Sequence, residues 1–244
     1  MDSMAKRLAI IQSCYIPWRG FFDFVRRVDE YVIFDDVQFA KRHWHKRNKI
    51  KTGQGTCWLT IPVESKGKFE QKINQTRIAE PWAQTHWRSI SHAYAKAPFF
   101  KSYGPAIEAL YQRAAELDHL SLVNHLFLSE LARLLNILTP IRWSTELSGQ
   151  GQKTDRLISL CLAAEATHYL SGPSARSYID PGKFAEAGIT LEWMDYAGYP
   201  EYPQLHGAFE PAVTILDLIF NTGPDAGHYL DQIVRYKILN EPAA

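Results

Sequence analysis

The sequence predicts an α/β fold: a Rossmann-like, mostly parallel sheet with a helical block, residues 82–138, inserted after the first half. A strand, a loop, a short helix and a second strand follow one another between residues 8 and 34, which is the order of a βαβ unit. Apolar residues then repeat at helical spacing through the block, and short apolar strands return in the second half. A chain of 244 residues is long enough for a single α/β domain over residues 1–244.

The first βαβ unit is predicted from its apolar runs. Residues 8–12 form an apolar strand, and Pro17 and Gly20 interrupt regular structure after it. Phenylalanines within residues 21–28 suit a short buried helix, and residues 31–34 suit a buried second strand. The loop between them lacks the Gly-x-Gly-x-x-Gly and Walker A patterns, which argues against a standard dinucleotide or P-loop site. The sequence therefore identifies no cofactor.

The later elements follow in order. Residues 58–63 alternate as a strand does, Pro62 indicates a sheet edge, and residues 73–78 are a candidate partner strand. Within the helical block, Ser121 is a candidate cap for a leucine-rich helix. The second half predicts a helix capped by Thr154 that runs through Ala164, strands at 167–170 and 191–194, and a helix from Pro211 to about Asn221.

Composition excludes several classes of protein. No apolar stretch approaches the roughly 18 residues that span a bilayer, and the N-terminus does not resemble a signal peptide. The three cysteines form no Cys-x-x-Cys pair, so neither a disulfide framework nor a zinc ribbon is indicated, and a cytoplasmic location is expected. A net charge of +1 and a pI near 7.8 argue against nucleic acid as a partner.

Residues 41–51, here called the basic segment, are the most informative feature of the chain. Six of these eleven residues are Lys or Arg and two are His. They follow a predicted buried strand that ends in Asp35 and Asp36, and this arrangement predicts a site for a small anionic substrate such as a phosphate or carboxylate. The alternative is a solvated basic loop or edge strand.

Four residues are candidates for catalysis. Asp35, His43 and His45 could transfer protons, since histidine titrates near neutral pH; Asp35 could instead form a turn or a salt bridge with Arg47. Cys14 could act as a nucleophile beside the basic segment, or be inert. Two histidines at this spacing are weak evidence for a metal set, so no metal site is predicted.

Substrate contacts are expected from groups that bind anions and rings. Arg47 offers a planar fork, Asn48 offers a donor and an acceptor, and Ser171 and Gly172 offer backbone N–H groups after a strand. The full predicted set is Gln12, Tyr15, Asp36, Lys41, Arg47, Asn48, Tyr94, Ser171, Gly172 and Tyr178. In particular, Gln12, Asp35, Arg47 and Asn48 are expected to line one cavity at the carboxyl ends of two neighbouring parallel strands.

Some residues allow both structural and functional roles. Tyr94, with Trp82 and Trp87, could form an aromatic wall that stacks on a base or sugar, or these rings could pack the helices together. His86 is as compatible with packing as with function. Asp217 lies in an apolar stretch and needs a partner such as Arg47 or a tyrosine hydroxyl, and its role stays open.

Several segments together resemble the WbqC-like protein family. They include Gln12-Ser-Cys-Tyr-Ile-Pro-Trp-Arg-Gly-Phe-Phe, Phe34-Asp-Asp-Val-Gln-Phe, Arg47-Asn48, Trp58-Leu-Thr-Ile-Pro-Val, Tyr94 with Lys96-Ala-Pro98, Tyr169-Leu-Ser-Gly172, Tyr178, Ile215-Leu-Asp217 and Phe220-Asn221. The family is associated with bacterial gene clusters for O-antigen and other surface polysaccharides. This chain departs from it at Ser13, where proline is common in the family and would fix the backbone. The stretch with His43, His45 and Lys46 is also more basic than the family pattern.

The resemblance and the basic segment together predict a group transferase. Acyl or aminoacyl transfer onto a nucleotide-linked sugar or similar anionic small molecule is the first hypothesis, and the acyl part follows from the biosynthetic context that the resemblance implies. The alternatives are a nucleotidyltransferase or ATP-dependent ligase, and a non-catalytic module that binds nucleotide sugars. The oligomeric state is left open.

Overall fold

The structure is a computed structural model that describes residues 5–231. These residues form seven β-strands and seven α-helices. The strands are β1 (Arg7–Ile11), β2 (Glu30–Ile33), β3 (Arg47–Thr52), β4 (Gly55–Thr60), β5 (Ile141–Trp143), β6 (His168–Ser171) and β7 (Thr190–Trp193). The helices are α1 (Arg19–Arg26), α2 (Ala83–Tyr94), α3 (Phe100–Ala115), α4 (Leu120–Leu134), α5 (Lys153–Ala163), α6 (Pro181–Glu186) and α7 (Ile215–Thr222).

Five strands form one parallel sheet in the order β5-β2-β1-β6-β7. The central strand β1 pairs on both sides, so that Ala9 lies opposite Tyr31 of β2 and Leu170 of β6. Helices cover the sheet, and the predicted α/β, Rossmann-like class is confirmed. That residues 1–244 form a single domain stays a prediction.

Alternation along the strands sends side chains to two separate cores. Leu8 and Ile10 of β1 belong to a cluster with Leu160 of α5 and Phe184 of α6. Ala9, between them, belongs to a larger cluster with residues of α1, α2, α3, α4 and α7. The sheet is therefore buried on both faces, which explains why its strands are continuous apolar runs in the sequence.

The hairpin of β3 and β4 forms a second, antiparallel sheet. Residues 47–51 of the basic segment therefore belong to β3, which lies outside the parallel sheet. The strand predicted at 58–63 starts earlier and ends at Thr60. Pro62 has no N–H for a ladder. Residues 73–78 contribute a 3-10 turn and two isolated bridges, from Ile78 to Val63 and from Arg77 to His119.

Three predicted helix starts are wrong. α4 begins at Leu120, and the Ser121 hydroxyl donates to Asp35 instead of capping the helix. Thr154 lies inside the first turn of α5. α7 begins at Ile215, where the Thr214 hydroxyl accepts from a backbone N–H, and not at Pro211. In the first case a tertiary partner takes the hydroxyl that local sequence offers to the backbone.

None of the helices among the described residues is both long and apolar enough to cross a membrane.

Candidate functional site at the carboxyl edge of the sheet

The strand order creates a switch point between β1 and β6. After β1 the chain crosses to β2 on one side, whereas β6 pairs with β1 on the other side. Ligands of open α/β sheets bind beyond the carboxyl ends of the strands at such a point. Here residues 12–18, which we call the β1 loop, leave the sheet beside Ser171 and Gly172 at the end of β6.

Asp35 holds the start of the β1 loop. Its buried carboxylate accepts the Ser13 N–H at 2.8 Å, the Ser13 hydroxyl at 2.6 Å and the Ser121 hydroxyl of α4. Asn124 of α4 donates in turn to Ser13 Oγ at 2.9 Å. Burial raises the pKa of Asp35, whereas the bonds from Ser121 and Ser13 lower it. Ser13 is fully buried, so its hydroxyl serves this network and is not open to a substrate.

Hydrogen bonds to backbone groups of the β1 loop hold the basic segment against it. The Tyr15 N–H donates to the Trp44 carbonyl at 3.0 Å, and His45 Nδ1 lies 2.8 Å from the Ser13 carbonyl. The Asn48 side-chain amide donates to two carbonyls of the loop, at 3.1 and 2.8 Å. The side-chain contacts join residues 32 or 33 positions apart in the chain, beside the switch point.

The cations of the basic segment have no acidic partner within the described part of the chain. Lys41, Arg42, Lys46, Arg47 and Lys49 form no ion pair with any carboxylate of residues 5–231. The Arg47 guanidinium lies 4.4 Å from the centre of the Trp58 ring, and its Nη2 donates to the Arg42 carbonyl at 2.5 Å. Its Nε is buried with no hydrogen-bond partner among the described residues. Arg47 is thus held in place with donor capacity left over.

The two histidines of the basic segment stack, with ring centres 4.1 Å apart. Because a carbonyl can only accept, His45 Nδ1 carries the proton, and Nε2 of the neutral ring is the basic nitrogen. Burial lowers the pKa of His45. Desolvation lowers the pKa of His43 to about 4, and the charges of His45 and Arg47 add to this effect. Both imidazoles are therefore neutral proton acceptors at pH 7.

Cys14 lies in the β1 loop, half-buried. Burial raises the pKa of its thiol to about 12, and the negative charge of Asp35 acts in the same direction. The thiol is protonated at neutral pH, whereas a nucleophilic cysteine acts as the thiolate. This surrounding opposes the predicted nucleophilic role, because the cations nearby do not offset the burial.

Several predicted contact residues lie away from solvent or away from the loop. Tyr15 is fully buried, and its hydroxyl bonds to His86 Nδ1 at 2.8 Å and to the Tyr111 hydroxyl at 2.7 Å. Tyr94 is also fully buried, so it is not part of an open wall. Tyr178 is exposed, beyond the end of β6.

The other predicted contacts are at the surface or at strand ends. Asp36 accepts from Ser144 and from Arg156, each at 2.5 Å, and so points away from Asp35. Lys41 is exposed, with its ammonium 5.1 Å from the centre of the Phe69 ring. Gln12 is half-buried directly after β1. That Gln12, Asp35, Arg47 and Asn48 line one cavity stays a prediction.

Two rings at the switch point were missed by sequence reasoning. Trp18 of the β1 loop and Tyr196, after β7, lie with ring centres 5.4 Å apart. The Tyr196 hydroxyl is 3.9 Å from where a Cβ on Gly172 would be, so it stands at the end of β6. A Cβ at Gly20 would collide with the Trp18 indole. The Trp-Arg-Gly sequence after Pro17 was the available signal, since only glycine admits the indole there.

Two groups left open by the sequence have defined structural partners. Asp217 is buried and accepts from the Tyr94 and Tyr202 hydroxyls, each at 2.8 Å, and from Gln204 at 2.7 Å. The tyrosine alternative for its partner is therefore the one observed. His86 is held by the Tyr15 hydroxyl. Within residues 5–231, no three His, Cys, Asp or Glu side chains are placed to hold a metal ion.

We expect Tyr94→Phe to lower the free energy of unfolding by about 1–2 kcal/mol. The Tyr94 hydroxyl donates to Asp217 and accepts the Lys51 N–H at 3.0 Å, and both buried groups lose a partner. Denaturant unfolding measures this loss, with Tyr103→Phe on α3 as the matched control. Unchanged stability with lost activity would instead place the hydroxyl in the reaction.

Comparison with known proteins agrees with the resemblance found in the sequence. A family model described as "WbqC-like protein family" matches residues 12–229, nearly the whole chain. A protein of Mycobacterium tuberculosis (strain ATCC 25618 / H37Rv), named "Uncharacterized protein Rv1507c", is 47% identical over 226 residues, which cover 92% of this chain and 97% of the relative. No solved structure matches the chain significantly.

Proposed function

This chain belongs to the WbqC-like protein family, and we propose that it is a group transferase that acts on a nucleotide-linked sugar or a similar anionic small molecule. The observation that supports this most is the attachment of the basic segment to the β1 loop at the switch point. The anion would be held by cations that have no acidic partner among residues 5–231, and Arg47 is the best placed for bidentate contact.

The proposed proton acceptor is the His43–His45 pair. His45 is buried and keeps its proton on Nδ1, so the exposed His43 ring stacked on it is the imidazole that can take a proton from an attacking amine or hydroxyl. A bound anion nearby would raise the imidazole pKa towards neutrality, because it stabilises the imidazolium that forms. Substrate binding would thereby turn a weak base into an effective one.

The proposed step is acyl or aminoacyl transfer. The acceptor's nitrogen or oxygen forms a bond to the acyl carbon, and the bond from that carbon to its leaving group breaks. The proton lost by the acceptor goes to the histidine pair, which can return it to the leaving group. Backbone N–H groups at Ser171 and Gly172 would stabilise the negative charge that develops on the acyl oxygen.

Calorimetric titration with a panel of nucleoside-diphosphate sugars, followed by turnover assays with acyl donors, tests the proposal. Saturable binding together with product formation would support it. Binding of ATP with magnesium, and not of nucleotide sugars, would favour a ligase or nucleotidyltransferase. Saturable binding without turnover of any donor would favour a binding module.

Arg47→Ala should weaken binding of a phosphate-bearing ligand by about 1.5–3 kcal/mol, the contribution of a hydrogen bond to a charged group. The melting temperature should change much less, because Arg47 contributes to folding mainly through its contact with the Trp58 ring. Arg47→Lys should recover part of the affinity, since it restores charge without the planar fork.

Arg133→Ala, at the far end of α4 in a surface pair with Glu130, is the matched control and should leave binding unchanged. If Arg47→Ala unfolds the protein while residual affinity stays the same, Arg47 is a structural residue and the proposed anion contact is wrong.

A further inference from the structure

Exposed aromatic rings and unpaired cations form one continuous surface on this protein. Three of the seven large apolar side chains exposed among residues 5–231 belong to it: Trp44 is 41% exposed, Trp58 42% and Phe69 72%. Phe69 is linked to the two tryptophans through the basic segment. The Lys41 ammonium lies over Phe69, and Arg47 donates to the carbonyl of the adjacent Arg42. The Arg47 guanidinium lies over Trp58, which lies 5.4 Å from Trp44. We call this the aromatic patch.

The charge of the patch is strongly one-sided. The basic segment contributes six Lys or Arg and no Asp or Glu. The loop around Phe69 adds Lys66, Lys68 and Lys72 against two acidic residues, Glu70 and Glu64, the latter paired with Lys68. Because the whole chain has a net charge of only +1, positive charge is concentrated on this surface and balanced elsewhere. Its partner must therefore be anionic.

The Trp58 ring already contacts neighbouring side chains, and this argues against nucleic acid as the anionic partner. Around the Trp58 ring stand Arg47 at 4.4 Å, Lys49 at 5.2 Å and Trp44 at 5.4 Å. Nucleic acid bases bind by stacking on free ring faces, and a base at Trp58 would have to displace these neighbours. Phe69 projects from a loop as a purely apolar ring, which gains free energy when it leaves water.

Rings beside cations suit a bilayer surface. Aromatic side chains settle at the level of the headgroups, and each Lys or Arg near an anionic leaflet adds attraction. A groove of about 640 Å³ adjoins Phe69, lined in part by Lys68, Gln71 and Gln75. The groove is lined mainly by polar and charged side chains, which suits contact with lipid headgroups.

We propose that the aromatic patch docks this protein on the surface of an anionic lipid bilayer, with Phe69 inserted among the headgroups. This docking is peripheral. It shares Lys41 and Arg47 with the proposed anion site, whereas Phe69, the residue varied below, lies outside that site. Docking needs no substrate, so it can be tested, and can fail, without bearing on the reaction.

Co-sedimentation with vesicles tests the proposal. The full chain should bind vesicles of equimolar phosphatidylglycerol and phosphatidylcholine at low salt, bind them more weakly at high salt, and fail to bind pure phosphatidylcholine. Phe69→Asp should reduce partitioning by about tenfold, because it replaces the inserted ring with a repelled charge. Trp44→Ala should reduce it by a smaller factor.

Leu138→Asp is the matched control, since it adds the same charge at an 85% exposed apolar position outside the patch. It should leave partitioning close to that of the unmodified chain. Equal loss in Phe69→Asp and Leu138→Asp would overturn the proposal, as would equal binding to the two kinds of vesicle. Binding of polyuridylate without binding to anionic vesicles would also overturn it, and would make the patch a nucleic-acid surface.

Discussion

Asp35→Ala should lower the free energy of unfolding by about 4 kcal/mol, because it leaves three buried donors without an acceptor. These are the Ser13 N–H, the Ser13 hydroxyl and the Ser121 hydroxyl, which come from the β1 loop and from α4. One side chain at the end of β2 therefore joins three elements around the switch point. Denaturant unfolding of the purified variant measures the loss.

Two variants sharpen this test. Asp35→Asn keeps one acceptor oxygen, and the serine hydroxyls can rotate towards it, so a smaller loss is expected. Asp36→Ala removes the adjacent carboxylate, which accepts from a single buried donor, the Ser144 hydroxyl, and pairs with Arg156, so it should cost about 2 kcal/mol. A loss in Asp35→Ala no larger than that of Asp36→Ala would show that the network around Asp35 does not hold the loop.

Acid should destabilise the protein through His86. Burial lowers the pKa of this imidazole from 6.5 to about 4, and Nδ1 faces the Tyr15 hydroxyl, which in turn bonds to Tyr111. Between pH 6.5 and about pH 4, His86 binds a proton in the unfolded chain but not in the folded protein. The stability that His86 contributes is therefore fully present above pH 6.5 and is lost as the pH falls towards 4, by about 3 kcal/mol.

The effect is measured as a difference between variants, since other groups titrate in the same range. Burial raises the pKa of Asp35 and Asp217, and this acts in the opposite direction, favouring the folded state as the pH falls. In His86→Gln the His86 contribution is absent while the carboxylates remain. Unfolding free energies of the two proteins should converge by about 3 kcal/mol between pH 7 and pH 4.

His92→Gln, an exposed position on the same helix, is the matched control for changing a histidine of α2. Parallel stability curves for the unmodified protein and His86→Gln would contradict the prediction, and would mean that the folded protein accommodates the imidazolium.

The βαβ unit was predictable because local sequence carries its signal. β1, α1 and β2 lie within two residues of the expected bounds, since a sheet buried on both faces needs continuous apolar strands. The parallel sheet followed from the same alternation of strands and helices. Helix starts were harder, because Ser121 looks like a cap in sequence and serves Asp35 in space.

The candidate site was likewise predictable only in part. Asp35 and the basic segment were visible as polar residues after an apolar run. The sequence could not show their hydrogen-bond partners. The Asp36 carboxylate accepts from Arg156, whereas the Asp35 carboxylate accepts from Ser13. Of the two roles that the sequence left open for Tyr94, the structure shows packing, because its ring is fully buried. Tyr94 is drawn into the core by Asp217, whereas Trp18 and Tyr196 meet at the switch point from segments far apart in the chain.

By itself, the sequence determined the fold class, the concentration of cations in residues 41–51 and the resemblance to the family, because these depend on composition and on short-range periodicity. Only the tertiary structure decided that the basic segment is fastened to the β1 loop, that the Cys14 thiol is held protonated, and that three exposed rings form one surface with the cations. These depend on contacts between distant residues and on burial, and the free energy of a buried polar group is set by its neighbours in space.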